Sequence, residues 1–138
     1  MARSRARQSP CGREAARTRL TQAEAFAMVA ALVLEDASGD ANPGVAAALA
    51  VLAGIAASDA ACCARLQERA RGQDHRAAVA LLATVAPHGA DMAKDLDRIL
   101  KRKDDAHYGV TVMSRAEASK LVGYARRIVE LARVVVEA

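Results

Sequence analysis

The chain has 138 residues, 53% of them hydrophobic and 26% charged, with one Phe, two Tyr and no Trp. That length fits one domain, and 35 alanines against 8 glycines and 3 prolines favour helices and argue against an all-β fold, because strands select branched and aromatic side chains. The net charge of +4 is unevenly placed: residues 1–20 hold six arginines against Glu14, which leaves 14 basic and 15 acidic side chains in residues 21–138, a body of −1 that argues against a generally basic nucleic-acid collector.

Residues 1–20 read as a disordered Arg-rich tail, and residues 21–138 as a single helical domain. The tail lacks an apolar stretch of signal-peptide length, and its arginines suit a solvated extension or an electrostatic arm. Cys11, Cys62 and Cys63 are odd in number and without CxxC spacing. They suggest neither a disulfide framework nor a zinc site, with Cys63 a small core residue, and a cytoplasmic, reducing location fits them.

Thr21 with Glu24 forms a capping box for a first helix to about Ala37, with Ala25, Phe26, Val29, Leu32 and Val33 on one side. Asn42-Pro43 supplies a cap and an N1 proline for a long second helix to about Ala70. Its apolar stretch from Val45 to Ala64 is mostly Ala and carries Asp59, so it reads as a buried helix and no membrane segment is expected. Val45, Leu49, Leu52, Ile55, Ala56, Cys63 and Leu66 share one stripe, and Asp59 falls near its centre. A carboxylate there needs an Arg or His from another helix, or an opening to water, and such a group can also orient a functional site.

Asp74 caps a short third helix carrying Val79, Leu82 and Val85, and Pro87-His88-Gly89 breaks it. A fourth helix from about Ala90 to Arg102 turns Met92, Leu96 and Ile99 inward. Ser114 with Glu117 opens the last helix, in which Leu121, Ala125, Ile128, Ala132 and Val135 follow the helical repeat. The expected fold is all-α, an antiparallel bundle of four or five helices.

Charge clusters at the exit of the fourth helix, in Leu100-Lys101-Arg102-Lys103-Asp104-Asp105-Ala106-His107-Tyr108-Gly109. A helix ending between Arg102 and His107 would put the imidazole on an irregular segment beside the guanidinium. An imidazole that accepts a ribose 2′-hydroxyl proton and a guanidinium that holds the phosphate suffice in kind for RNA cleavage without metal. His75, His88 and His107 lie on separate segments with no metal-ligand spacing, so no metal or cofactor is implied. The bland alternative makes Asp95, Arg98 and Arg102 a solvated ion-pair edge and His107 a loop residue.

The stretch LDRILKRKDDAHYGVTVMSRAEASKLVGYARRIVELARVVVE, residues 96–137, resembles the HEPN superfamily. Its order is a leucine-rich helix ending in an Arg-containing run, then Ala-x-Tyr-Gly, then a Ser-x-x-Glu-Ala opening to the last helix. LAGIAASDAACCARL and Gly72-Gln73-Asp74-His75 look like that family's second helix and the start of its third, so the likeness spans about residues 45–137. It implies a homodimeric helical bundle acting as a ribonuclease or as a non-catalytic module, often with a nucleotidyltransferase partner in toxin and antitoxin systems.

The family's ribonuclease signature, Arg then four to six residues then His, falls on Arg102 and His107 as the catalytic pair. The resemblance also implies a cleft shared across the dimer; in such a cleft Tyr108 would stack on a base of the RNA, and Lys103 or the cluster Arg65, Arg69, Arg71 and Arg76 would hold flanking phosphates. Three functions follow as expectations: a metal-independent endoribonuclease cutting single-stranded RNA, the toxin of a toxin–antitoxin pair; a non-catalytic module binding a nucleotide or a partner nucleotidyltransferase; and an assembly protein.

Overall fold

The computed structural model describes residues 8–72, 74–108 and 112–138, without the Tyr108 side chain. Six helices pack together with one tiny sheet among the described residues, and three quarters of the structure is helical. In chain order these are β1 (Gln8–Pro10), α1 (Arg13–Leu34), α2 (Pro43–Leu66), β2 (Glu68–Ala70), α3 (His75–Ala83), α4 (Gly89–Leu100), α5 (Lys103–Tyr108) and α6 (Arg115–Glu137). β1 pairs antiparallel with β2, with Ser9 opposite Arg69.

The N-terminal reading needs correction. Residues 8–20 are ordered: Gln8–Pro10 forms a strand and α1 begins at Arg13, with Gly12 as its cap. Thr21 therefore lies inside the helix and caps nothing; its hydroxyl donates to the Arg17 carbonyl at 3.1 Å. The cysteine reading is corrected as well, since Cys11 and Cys63 form a disulfide across 52 residues of sequence. The cysteines thus lose their force as an argument for a reducing compartment. Cys62 keeps a buried free thiol, which burial pushes up to about 12.

Asn42 caps α2 as its sequence suggests, accepting from the Gly44 N–H, with Pro43 leading the helix. α2 stops at Leu66 rather than near Ala70, because Gln67 turns left-handed at φ 56° and the next three residues join the sheet. By length and composition α2 is apolar enough to cross a membrane, but 72% of its apolar window is buried inside the protein. α1, α4, α5 and α6 all pack on it.

The packing faces differ from the expected stripes. α1 buries Ala16, Leu20, Ala23, Ala27 and Ala30, while Val29 and Leu32 are exposed. α2 buries Ala46, Ala47, Ala50, Ala53, Ala56, Ala57 and Ala60, leaving Val45 and Leu52 exposed at its edge. The cause is steric: alanine lets helix backbones approach closely, so the tightest seams are made of methyl groups and larger side chains move to the flanks. Gly54 continues that logic, since a Cβ there would lie 3.1 Å from Ile99 Cδ1.

The second half of the chain follows its sequence more closely. Asp74 caps α3 by accepting from Ala77 N–H, and Ser114 caps α6 by accepting from Glu117 N–H. Leu82, Met92, Leu96, Ile99, Leu121, Ala125, Ile128, Ala132 and Val135 are buried. Gly89 begins α4 where a Cβ would stand 2.6 Å from the Leu82 carbonyl oxygen, so the α3–α4 corner closes only around glycine.

Candidate functional site

α4 ends at Leu100 and α5 begins at Lys103, so Arg102 occupies the corner between them. His107 lies on α5, a short helix, and not on the irregular segment its sequence suggested. Arg102 Nε donates to Asp105 at 3.3 Å, while Nη2 reaches Glu117 at 3.4 Å and the Met113 sulfur at 3.8 Å. Glu117, expected to complete the α6 capping box, thereby ties α6 to the α4–α5 corner.

His107 borders an open groove of about 500 Å³ between α5, the start of α2 and the residues Val112 and Met113 that lead into α6. Asn42, Val45, Leu49, Asp105, Val112 and Met113 share its walls. Its Nε2 is shielded from solvent. Arg102 is not on that wall, but it donates to Asp105 and reaches the Met113 sulfur, two side chains that line the groove together with His107. The groove has apolar walls of Val45, Leu49 and Val112, of which Val45 and Val112 are exposed.

Lys103, predicted beside the same site, lines a different opening. It borders a cavity of about 60 Å³ with Ser58, Asp59, Asp74, His75 and Leu100. The side chain of Tyr108, and Gly109 to Thr111, fall outside the described residues. His107 and Lys103, close in sequence, thus line two different openings, and Arg102 lines neither.

Asp59 is 8% exposed, in the interior position its spacing indicates. One carboxylate oxygen, Oδ2, accepts from Arg19 Nε at 3.1 Å and from Arg69 Nη1 at 3.4 Å. Arg19 comes from α1 and Arg69 from β2, which β1 and the Cys11–Cys63 bond hold in place. Burial raises the pKa of Asp59 above the ordinary carboxylate value, and the two arginines oppose that shift without cancelling it. Arg69 is therefore an ion-pair partner of Asp59.

A second buried carboxylate escaped the sequence reading. Asp95 is 5% exposed and receives both Arg127 Nε (3.0 Å) and Nη2 (2.8 Å), with Arg98 Nη1 at 3.1 Å. Both guanidiniums lie 5.3 Å from the centre of the Tyr124 ring. The Asp95 hydrogen bonds hold the Arg127 charge more firmly than usual. Asp95, Arg98 and Arg102 are consequently not one solvated edge. Asp95 lies within about 60° of the Met92, Leu96 and Ile99 stripe, a position that could have exposed it.

Among the described residues no group of three metal-ligating side chains occurs. Compared with models of protein families, with curated proteins and with solved structures, the chain matches none. What stands is a small, mostly helical protein of six described helices.

Proposed function

We propose that the chain is a HEPN-type metal-independent endoribonuclease acting on single-stranded RNA, as the toxin of a toxin–antitoxin pair. The observation that carries this reading is that Arg102 bonds to Asp105 and Met113, two side chains lining the same open groove as His107. His107 takes the proton of a ribose 2′-hydroxyl, whose oxygen attacks the adjacent phosphorus. The 5′-oxygen leaves and takes up a proton, giving a 2′,3′-cyclic phosphate. Arg102 binds the phosphate and the charge that develops on it. A homodimer joined across the Val45, Leu49 and Val112 wall brings a second Arg102–His107 pair to the groove. On this reading the action is cytoplasmic, with a cognate antitoxin or nucleotidyltransferase as partner.

Incubation of the full chain with single-stranded RNA in chelator tests the reading. Cleavage should give cyclic-phosphate ends and fall by roughly 100-fold or more in Arg102→Ala and in His107→Ala. Equal cleavage by the double variant would falsify it. A second reading, the non-catalytic module, is favoured by the pairing of Arg102 with Asp105 and Glu117, which competes with phosphate. Binding of a nucleotide or nucleotidyltransferase without turnover, unaltered by His107→Ala, would select that reading.

A further inference from the structure

The Asp95 cluster takes no part in the chemistry above, yet it builds an ordered positive surface. Arg98 and Arg127 have side chains 52% and 56% exposed while their shared carboxylate is buried. Asp95 engages one nitrogen of Arg98 and two of Arg127, so each guanidinium retains further N–H donors. A carboxylate from below and a ring alongside thus fix both forks before any ligand arrives.

The cluster sits within a longer pattern. α4 and α6 run antiparallel, because Asp95 meets Arg127, Arg98 meets Tyr124 and Arg102 meets Glu117. Lys94, Arg98 and Lys101 recur at helical spacing along α4, and Lys120, Tyr124 and Arg127 do so along α6. All five cations are exposed and Tyr124 is half-buried. Within this seam the carboxylates are Asp95 and Asp97, the latter paired with Lys101 at 2.9 Å, and Asp91, Glu117 and Glu130 stand at its margins. From Lys94 to Lys101 the row runs roughly 10 Å, an extended line that suits a polyanion better than a small anion.

Gly123 lies on the same face of α6, between Lys120 and Arg127. A mid-helix glycine costs about 1 kcal/mol relative to alanine. Packing does not account for it here, since a Cβ at Gly123 meets nothing within 4 Å. A bare backbone on a cationic seam allows another chain to approach closely.

We propose that the α4–α6 seam is a docking strip for the phosphodiester backbone of single-stranded RNA. Arg98 and Arg127 grip phosphates as preset forks, and Lys94, Lys101 and Lys120 extend the contact along the strand. The proposal deepens the ribonuclease reading by supplying its substrate with a binding track outside the His107 groove, and it rests on that reading for the identity of the polyanion.

The test measures binding of a 2′-O-methylated single strand to the full chain by fluorescence anisotropy. This probe lacks the attacking hydroxyl, so affinity is read independently of cleavage. The Lys94→Glu/Lys101→Glu/Lys120→Glu variant should lose at least about 10-fold in affinity, and its salt dependence should become shallower by about 2 in logarithmic slope. Arg17→Glu/Arg115→Glu/Arg126→Glu, an equal charge change on exposed residues outside the seam, should lose less than about 3-fold. Lys94→Ala/Lys120→Ala, a gentler change, should weaken binding about 3-fold with an unchanged melting temperature. Equal losses in both triple variants, no loss in the seam variants, or tighter capture of poly-glutamate than of RNA would overturn the proposal. Cleavage of unmodified RNA by Arg102→Ala/His107→Ala reports on the nuclease reading separately.

Discussion

Asp59 and Asp95 are both buried carboxylates held by two arginines, but they are held in opposite ways. Asp59 accepts through one oxygen, from partners delivered by α1 and by the small sheet. Asp95 accepts through both oxygens, from partners on the helix that carries it and on its neighbour. At Asp59 desolvation outweighs the attraction of the arginines and the carboxyl is harder to ionise. At Asp95 three hydrogen bonds at 2.8 to 3.1 Å converge and the arginines keep their outer faces in water. Burial of charge is therefore not one condition: the number of oxygens satisfied and the exposure of the partners decide what it costs.

The largest effect should come from cutting the tie that secures the Asp59 side. Cys11→Ser opens a loop of 52 residues, for which chain entropy gives about 4 kcal/mol. A correspondingly lower urea midpoint is expected, with amide exchange accelerated first in β1 and β2 and only later in α4 and α6. Uniform acceleration would erase the distinction between the two sides.

Isosteric amides separate the carboxylates next. Asparagine at 59 can still present one oxygen to both Arg19 and Arg69, so Asp59→Asn should lie within about 1 kcal/mol of the parent. At 95 the amide nitrogen must face an arginine N–H whichever way it turns, and Asp95→Asn should cost about 2 kcal/mol. Chemical denaturation of both variants at neutral pH gives the comparison, and equal costs would break it.

Titration sharpens the contrast further. The folded pKa of Asp59 lies above its unfolded value near 3.8, so the folded state binds the proton more tightly. Its contribution is then fully present below about pH 3.8 and is lost as pH rises through the raised folded value. Stability measured upward from pH 3.8 should carry this decline in the parent and lack it in Asp59→Asn. The smallest effect belongs to the Asp95 side: Gly123→Ala fills open space in mid-helix and should raise stability by about 0.5–1 kcal/mol in a thermal melt.

Much of this fold was readable from residue chemistry, and the failures have definite causes. Asn42, Asp74 and Ser114 announce helix starts because a side-chain oxygen can accept from the first-turn N–H groups, and all three do so. Asp59 stood out because the surrounding sequence is apolar. Asp95 did not, because Asp91, Lys94, Asp97 and Arg98 crowd it in sequence and hide its inward angle. Arg13 to Leu20 was obscured by its charge, although Ala16 and Leu20 already continue the buried row of α1. At the candidate site, the spacing of Arg102 and His107 showed two groups near a break but not the carboxylates that occupy Arg102. Those come from Asp105 and from Glu117, and the latter pairing is tertiary.

The alanine seams between α1 and α2 change how this molecule should be read by mutation. In a core of large side chains, truncation leaves holes and an alanine scan finds the critical positions. Here Ala23, Ala27, Ala50, Ala53 and Ala57 are already at the endpoint of that scan. Their sensitivity lies in growth, since a valine or leucine must force two backbones apart. A scan with larger residues would map the interface that an alanine scan leaves blank.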